Sequence, residues 1–307
     1  MIPFSVTIVD RRKADQFEPL GSKPKFWFRD GERRLMFKAD DRGTGEDWAE
    51  VVACELCKLV GLPHVHYDLA AEGAGDQTSL PGVICENMAP PPKSLVLGNQ
   101  LLLAADGTYP MEQRFKVSQH TVEMVAKCLS TLWPPEEDLC KRCPSLNRGN
   151  ALDFFVGYAL LDAWIANQDR HHENWAAVWT GERMRLAPTF DHGAALARNL
   201  TDSERRERLS TRDRNRTIKA FARRARSAFY ANETDKKALS TLDAFLAFGI
   251  LSPKASNAWL ERVLAVGTNE LSAILDRVPS SRISDVGREF TLALLLENQQ
   301  RLREANP

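Results

Sequence analysis

The sequence predicts an α+β fold of two lobes, a small β-rich N-terminal lobe with one helix (residues 1–90) and a larger, mainly helical lobe (residues 91–307). Three observations lead to this prediction. Short segments with strand-like alternation dominate the first lobe. A proline-rich break at residues 88–92 then interrupts regular structure. Long helical patterns dominate the remainder. Of the 307 residues, 43% are hydrophobic, which is enough for a sizeable core.

The predicted elements of the small lobe surround one amphipathic helix. Its apolar positions follow helical spacing and Gly61 would end it. The turn sequence Asp30-Gly31 predicts a hairpin. The predicted elements are a short strand at 6–9, a hairpin with strands at 25–29 and 33–38, the helix at 48–60, and strands at 63–70 and 80–87.

In the large lobe the most apolar segment, residues 151–166, predicts a buried central helix. Residues 134–150 contain several prolines and predict an irregular connection. The other predictions are a loop or short helix at 95–105, a helix at 117–132, a hairpin with strands at 175–179 and 184–187, and helices at 239–248, 252–266, 269–277 and 287–303.

A highly polar loop, residues 167–174, lies between two apolar segments and is the main functional signal. It contains Asp169 and, five residues on, Asn174. Asp191-His192-Gly193 follows after the predicted hairpin, which would bring Asn174 and Asp191 to one end. The D-x-x-x-x-N spacing matches the protein-kinase catalytic loop, and D-x-G has the form of the kinase metal-binding motif. The residues therefore predict phosphoryl transfer from ATP with Mg²⁺.

Upstream residues supply candidates for nucleotide binding. Lys38, at the end of a predicted strand, could hold the phosphates, and Glu50 on the helix could pair with it, with Glu55 as the alternative. A short Gly/Ser turn can bind phosphate oxygens through backbone N–H groups. We expect such a phosphate loop at Gly21, Ser22 and Lys23, and adenine at backbone groups near Cys85, Glu86 and Met88.

The motif D-R-H-x-x-N followed by D-x-G resembles the loop shared by HipA-like kinases and the phosphoinositide-kinase group, and the order of Gly21-Ser22-Lys23, Lys38 and Glu50 resembles the HipA-like side. The resemblance spans roughly residues 20–195. It implies a two-lobed protein-kinase-like fold and an ATP- and Mg²⁺-dependent serine/threonine kinase, in which some relatives are toxins acting on aminoacyl-tRNA synthetases. It implies that Asp169 is catalytic, that His171 assists proton transfer or supports the loop, that Asn174 and Asp191 hold magnesium, and that Lys38 holds phosphates.

The resemblance also implies partners. Full-length HipA-like toxins carry a further N-terminal subdomain, and the phosphate loop lies close to the start of this sequence, so we expect a small partner or antitoxin to supply that piece. The substrate would be a protein, such as a translation factor or an aminoacyl-tRNA synthetase. Ser22 stands where relatives can carry an autophosphorylated serine, although the serine pattern differs. A lipid or small-molecule kinase and a pseudokinase that only binds nucleotide remain the alternatives.

Charge and composition restrict the other classes of function that the sequence allows. The formal net charge is zero, which gives no argument for binding nucleic acid or a membrane, and no apolar run reaches the length of a membrane span. The N-terminus lacks the features of a signal peptide, so we expect a cytoplasmic protein.

The C-x-x-C pairs Cys54/Cys57 and Cys140/Cys143 have the spacing of a zinc site, but the interpretation as separate, reduced thiols is favoured. In the basic stretch 198–226, few aromatic residues accompany the arginines, which favours solvated helix faces over a nucleic-acid site.

Overall fold

The computed structural model describes residues 2–17, 24–74, 77–140 and 149–305. Its β-structure forms two sheets. A six-stranded sheet has the order β1-β5-β6-β4-β3-β2, and a three-stranded sheet has the order β7-β8-β9. The strands are β1 (Thr7–Val9), β2 (Ala14–Phe17), β3 (Lys25–Asp30), β4 (Arg33–Ala39), β5 (Tyr67–Ala74), β6 (Gln77–Glu86), β7 (Ser94–Leu97), β8 (Ala176–Trp179) and β9 (Met184–Leu186).

The larger sheet is antiparallel except for the parallel pair β1 and β5. The predicted hairpin is confirmed as β3 and β4, with Gly31 in the left-handed region of φ (+59°) at its turn. Strand β2 was not predicted, because it directly follows a run of charged residues and shows no clear alternation of apolar residues. The strand predicted at 63–70 begins later, at Tyr67.

Eleven α-helices lie in the described part of the chain. They are α1 (Glu46–Val60), α2 (Gly98–Ala105), α3 (Val122–Leu129), α4 (Glu137–Cys140), α5 (Ala151–Ile165), α6 (Asp202–Ser210), α7 (Ile218–Arg224), α8 (Thr241–Leu251), α9 (Pro253–Ala265), α10 (Thr268–Asp276) and α11 (Asp285–Ala305). The fold is thus α+β, as predicted.

Helix α5 is the centre of the largest hydrophobic core. It packs against α8, α9 and α11, and 13 of its 15 residues are buried, which is why its sequence is apolar on all sides.

The predictions for the C-terminal helices are confirmed within a few residues. The helix predicted at 117–132 is shorter, since it begins only after Thr121, whose hydroxyl accepts a hydrogen bond from the Met124 N–H. The segment at 95–105 is strand β7 followed by helix α2.

Helix α1 connects the larger sheet to the C-terminal helices. It packs on β5 and β6 on one side and on α9 and α10 on the other. Gly61, in the left-handed region (φ +71°), ends it and donates its N–H to the last turn. No helix in the described ranges is long and apolar enough to cross a membrane.

Candidate active site

A buried ion-pair cluster joins β4, α1 and the D-x-G segment. The Lys38 ammonium lies 3.2 Å from Glu50 Oε1 and also contacts the Asp191 carboxylate. Burial alone would lower the pKa of Lys38, but the negative charges of Asp191 and Glu50 outweigh it and raise the pKa above its ordinary value, so the side chain stays cationic. Glu55 points elsewhere, to Lys58 (2.5 Å) and Arg277 (3.0 Å).

Asp191 has a backbone conformation that is uncommon outside glycine. Its φ is +58°, and its N–H is 3.4 Å from the hydroxyl of Tyr67 on β5. The next residue, His192, donates its N–H to the second oxygen of Glu50. Gly193 follows at a point where a Cβ would lie 3.3 Å from Glu46 of α1. Glu50 therefore orients both Lys38 and the D-x-G segment, and the unusual backbone at Asp191 is of the kind found at functional sites.

The polar loop at 167–174 is fixed by a second buried ion pair. Helix α5 ends at Ala166, which adopts the left-handed conformation (φ +52°). Arg170 donates two hydrogen bonds of 2.8 Å to the Asp162 carboxylate on α5. Its remaining nitrogen donates to the Asn174 carbonyl oxygen (2.9 Å) and, more weakly, to that of Phe190 (3.4 Å). One guanidinium thus joins the helix, the loop and the D-x-G segment.

Within the loop, Asp169 and Asn174 lie side by side. The Asn174 amide nitrogen donates to the Asp169 carbonyl oxygen (2.6 Å) and lies 3.5 Å from its carboxylate. His171 Nε2 lies 3.7 Å from Asp169 Oδ1 and 3.4 Å from Arg114 Nε. Burial, reinforced by the charge of Arg114, lowers the pKa of His171 to about 4, so this imidazole is neutral at pH 7.

Two concave spaces adjoin at this loop. A pocket of about 170 Å³ is lined by Lys38, Asn174 and Asp191 and also by Glu86 and Met88. A cleft of about 580 Å³ is lined by Asp169 and His171. Arg114 lines both. The structure therefore brings together the predicted site residues outside the phosphate loop, whereas Gly21, Ser22 and Lys23 lie outside the described residues.

The oxygen donors in the pocket suit Mg²⁺, which prefers a carboxylate or two from the protein and completes its coordination with phosphates and water. Asp191 offers a carboxylate. The Asn174 amide nitrogen is hydrogen-bonded to the Asp169 carbonyl oxygen, so the amide oxygen of Asn174 points away from that contact.

For zinc, the described residues contain no group of three His, Cys, Asp or Glu side chains arranged to bind a metal. Cys54 and Cys57 are buried free thiols, Cys140 is buried, and Cys143 lies outside the described residues.

Sequence reasoning missed Arg114 altogether. It lies in an irregular segment before α3, 57 positions from His171, and no periodicity or motif marks it. Asp162, an aspartate inside the apolar helix, was a candidate for orienting the loop, but its partner Arg170 was missed although it directly follows the loop aspartate. Tyr67, which contacts Asp191, carried no signal beyond its strand position.

Comparisons with known proteins support the fold. Neither a protein-family model nor a curated protein sequence matches this chain. Among solved structures, the Helicobacter pylori proinflammatory kinase CtkA is similar, with a TM-score of 0.64 and 19% identity over 95% of this chain and 97% of that protein. The toxin HipA of Shewanella oneidensis, solved with HipB and operator DNA, is similar with a TM-score of 0.55 and 11% identity over 94% of this chain.

The second likeness covers 65% of the HipA chain, so this sequence spans less than two thirds of that protein. At these identities the comparisons establish the fold, not the activity. These structural similarities agree with the D-R-H-x-x-N and D-x-G motifs, which predicted the resemblance to HipA-like kinases. The resemblance to HipA-like kinases is thus confirmed at the level of the fold, and the chain has the kinase-like fold of CtkA and HipA.

Proposed function

We propose that this protein is an ATP- and Mg²⁺-dependent kinase that transfers the γ-phosphoryl group of ATP to a serine or threonine hydroxyl of a protein. One observation carries the proposal. Lys38, Asn174 and Asp191 line one pocket, Asp169 lines the adjoining cleft, and Arg114 lies between them. A phosphoryl donor in the pocket and a hydroxyl acceptor in the cleft would meet at this junction, as in-line transfer requires.

Each side chain has a role in this reaction. The hydroxyl oxygen attacks the γ-phosphorus, the bond from that phosphorus to the β-phosphate oxygen breaks, and ADP leaves. Asp169 orients the hydroxyl and accepts its proton late in the transfer. Lys38, oriented by Glu50, binds phosphate oxygens, while Arg114 faces the transferred group. Magnesium held by Asn174 and Asp191 would neutralise phosphate charge. Neutral His171 lies beside Asp169 and accepts a hydrogen bond from Arg114, which it helps to position.

The proposed kinase also has a defined layout, nucleotide contacts and a partner. We propose the two-lobed layout with a boundary near residue 90, adenine near Glu86 and Met88, and phosphates near Gly21, Ser22 and Lys23. The likeness to HipA, which was solved with HipB and operator DNA, supports an antitoxin-type protein partner. A cytoplasmic location and a translation-related substrate are compatible with that likeness.

The test is transfer from radiolabelled ATP in the presence of Mg²⁺, followed by intact mass and peptide mapping of the protein itself. We expect the wild type to transfer phosphate, to a protein substrate or to its own Ser22, and Asp191→Asn to be at least about 100-fold slower. Asp285→Asn, at a fully exposed side chain of α11, is the matched control and should not change the rate. A folded Asp191→Asn variant as fast as the wild type would contradict the assignment, and transfer only to lipids or sugars would contradict the substrate class.

A further inference from the structure

The cleft next to Asp169 has a marked charge pattern. The cationic side chains Arg114, Lys116, Arg226, Lys236 and Lys237 line it, and Asp169 is the only carboxylate among the described residues that line it. The whole chain is neutral, with equal numbers of basic and acidic residues. The positive charge is therefore a local property of this cleft and not a consequence of composition.

Arg114 pairs with Glu173 (3.4 Å), whereas the other four cations form no ion pair among the described residues. These four exposed side chains are Lys116, Arg226, Lys236 and Lys237. Arg226 Nη1 donates only to the Ala238 carbonyl oxygen, at 3.3 Å. Lys116 is held in the left-handed region (φ +56°), which is uncommon for a residue with a side chain. Like charges gathered without partners repel one another, and an anionic ligand would relieve that repulsion.

The shape of the cleft indicates what kind of anion it takes. At about 580 Å³ it has room for several side chains. Phe115, 62% exposed, lies at its rim, and Val117 and Tyr230 supply buried apolar walls. The chain is neutral overall and lacks the net positive charge typical of nucleic-acid-binding domains. A few local charges beside an apolar rim instead suit a peptide with acidic residues near an apolar one.

We propose that this cleft binds an acidic segment of the protein substrate and presents a serine or threonine within that segment to Asp169. The inference rests on the proposed kinase function and adds the substrate class. The lysine pair Lys236 and Lys237, with Arg226, would bind carboxylates flanking the acceptor hydroxyl. Such charge complementarity acts mainly on encounter and binding and is weakened by salt.

The experiment compares peptides of one length with a single central serine and flanking residues that are acidic, neutral or basic. We expect kcat/KM with Mg-ATP to be at least about tenfold higher for the acidic peptide than for the neutral one, mainly through KM, with the difference shrinking at high salt. The double variant K236E/K237E should lose this preference by about tenfold or more and accept the basic peptide better. The control K13E/K254E alters two exposed lysines outside the cleft, changes the net charge equally, and should keep the preference.

The outcomes separate the two proposals. If the wild type phosphorylates peptides without preferring acidic ones, or if both double variants respond alike, the cleft inference is wrong and the kinase assignment stands. If an RNA oligonucleotide or a phosphorylated sugar inhibits transfer at lower concentration than a serine-free acidic peptide does, the cleft binds that ligand class and the inference is again wrong. If Mg-ATP yields no phosphate transfer to peptide or to the protein itself, both proposals fail.

Discussion

At the scale of single residues, the site depends on a lysine that contacts two carboxylates. Lys38 is buried, and a buried ammonium without a counter-charge would lose its proton or destabilise the fold. Glu50 and Asp191 prevent this, and the pKa of Lys38 is raised because their charges outweigh its burial. Glu50 fixes more of the site than Asp191 does, because its second oxygen also accepts a hydrogen bond from the His192 N–H.

Replacing Glu50 by glutamine tests this arrangement at nearly constant volume. The variant has one acceptor oxygen in place of two, so it can accept from Lys38 or from the His192 N–H but not from both, and it loses the charge that balances Lys38. Lys38 would therefore shift toward Asp191. We expect kcat/KM for Mg-ATP to fall about 10- to 100-fold, the equivalent of one charge-assisted hydrogen bond. Steady-state transfer rates at varied ATP concentration measure it.

Glu55→Gln is the matched control, because Glu55 lies on the same helix but pairs with Lys58 and Arg277. It should leave kcat/KM within about twofold of the wild type. Equal losses in the two variants would mean that the charge of α1 as a whole matters and that the Lys38–Glu50 contact has no special role.

At the scale of elements, α1 is held by arginines from the second half of the chain. Arg198 pairs with Glu46 (2.6 Å), Arg282 with Asp47 (2.9 Å) and Arg277 with Glu55 (3.0 Å). The first two pairs are largely buried. Because α1 also carries Glu50, these contacts position the site from the far side of the helix.

Removing one arginine from this set should therefore destabilise the fold. In Arg282→Ala, the buried carboxylate of Asp47 loses its partner, and the Ala70 carbonyl oxygen loses a hydrogen bond (3.1 Å). We expect a loss of about 3 kcal/mol in the free energy of unfolding, measured with urea at pH 7.5. Arg216→Ala breaks the exposed pair with Glu207 and should cost less than about 1 kcal/mol. Similar losses in both variants would show that α1 does not depend on this ion pair.

The elements also show how far sequence reasoning reaches. Periodicity predicted α1, α5 and the β3–β4 hairpin, because each follows a local pattern of apolar residues. Spacing predicted the loop of Asp169 and Asn174, because kinase chemistry fixes that distance along the chain. Arg114 and the cationic cleft could not be predicted in this way. Their roles arise from contacts between distant segments, such as Arg114 with His171, and no local rule encodes them.

At the scale of the whole molecule, a group of neutral histidines lies beneath the cleft. His120 packs against His172, Trp175 and Phe229 in the core. Its Nδ1 lies 3.0 Å from the Ala228 carbonyl oxygen, and the Trp175 indole donates to its Nε2 (3.2 Å). Both ring nitrogens are satisfied only in the neutral form, with Nδ1–H donating to Ala228 and Nε2 accepting from Trp175. Burial, opposed in part by the Ala228 contact, lowers the pKa of His120 to about 3.

This lowered pKa predicts how the stability of the molecule depends on pH. The unfolded chain binds a proton at His120 near pH 6.5, whereas the folded chain does so only near pH 3, so acid favours unfolding. The contribution is complete above pH 6.5 and is lost as the pH falls toward 3, amounting to about 2 kcal/mol between pH 7 and pH 5. His120→Gln keeps a donor and an acceptor but cannot titrate. Its free energy of unfolding in urea should therefore fall less over that interval than that of the wild type, by about 2 kcal/mol, and parallel losses in the two proteins would show that His120 is not the group that titrates.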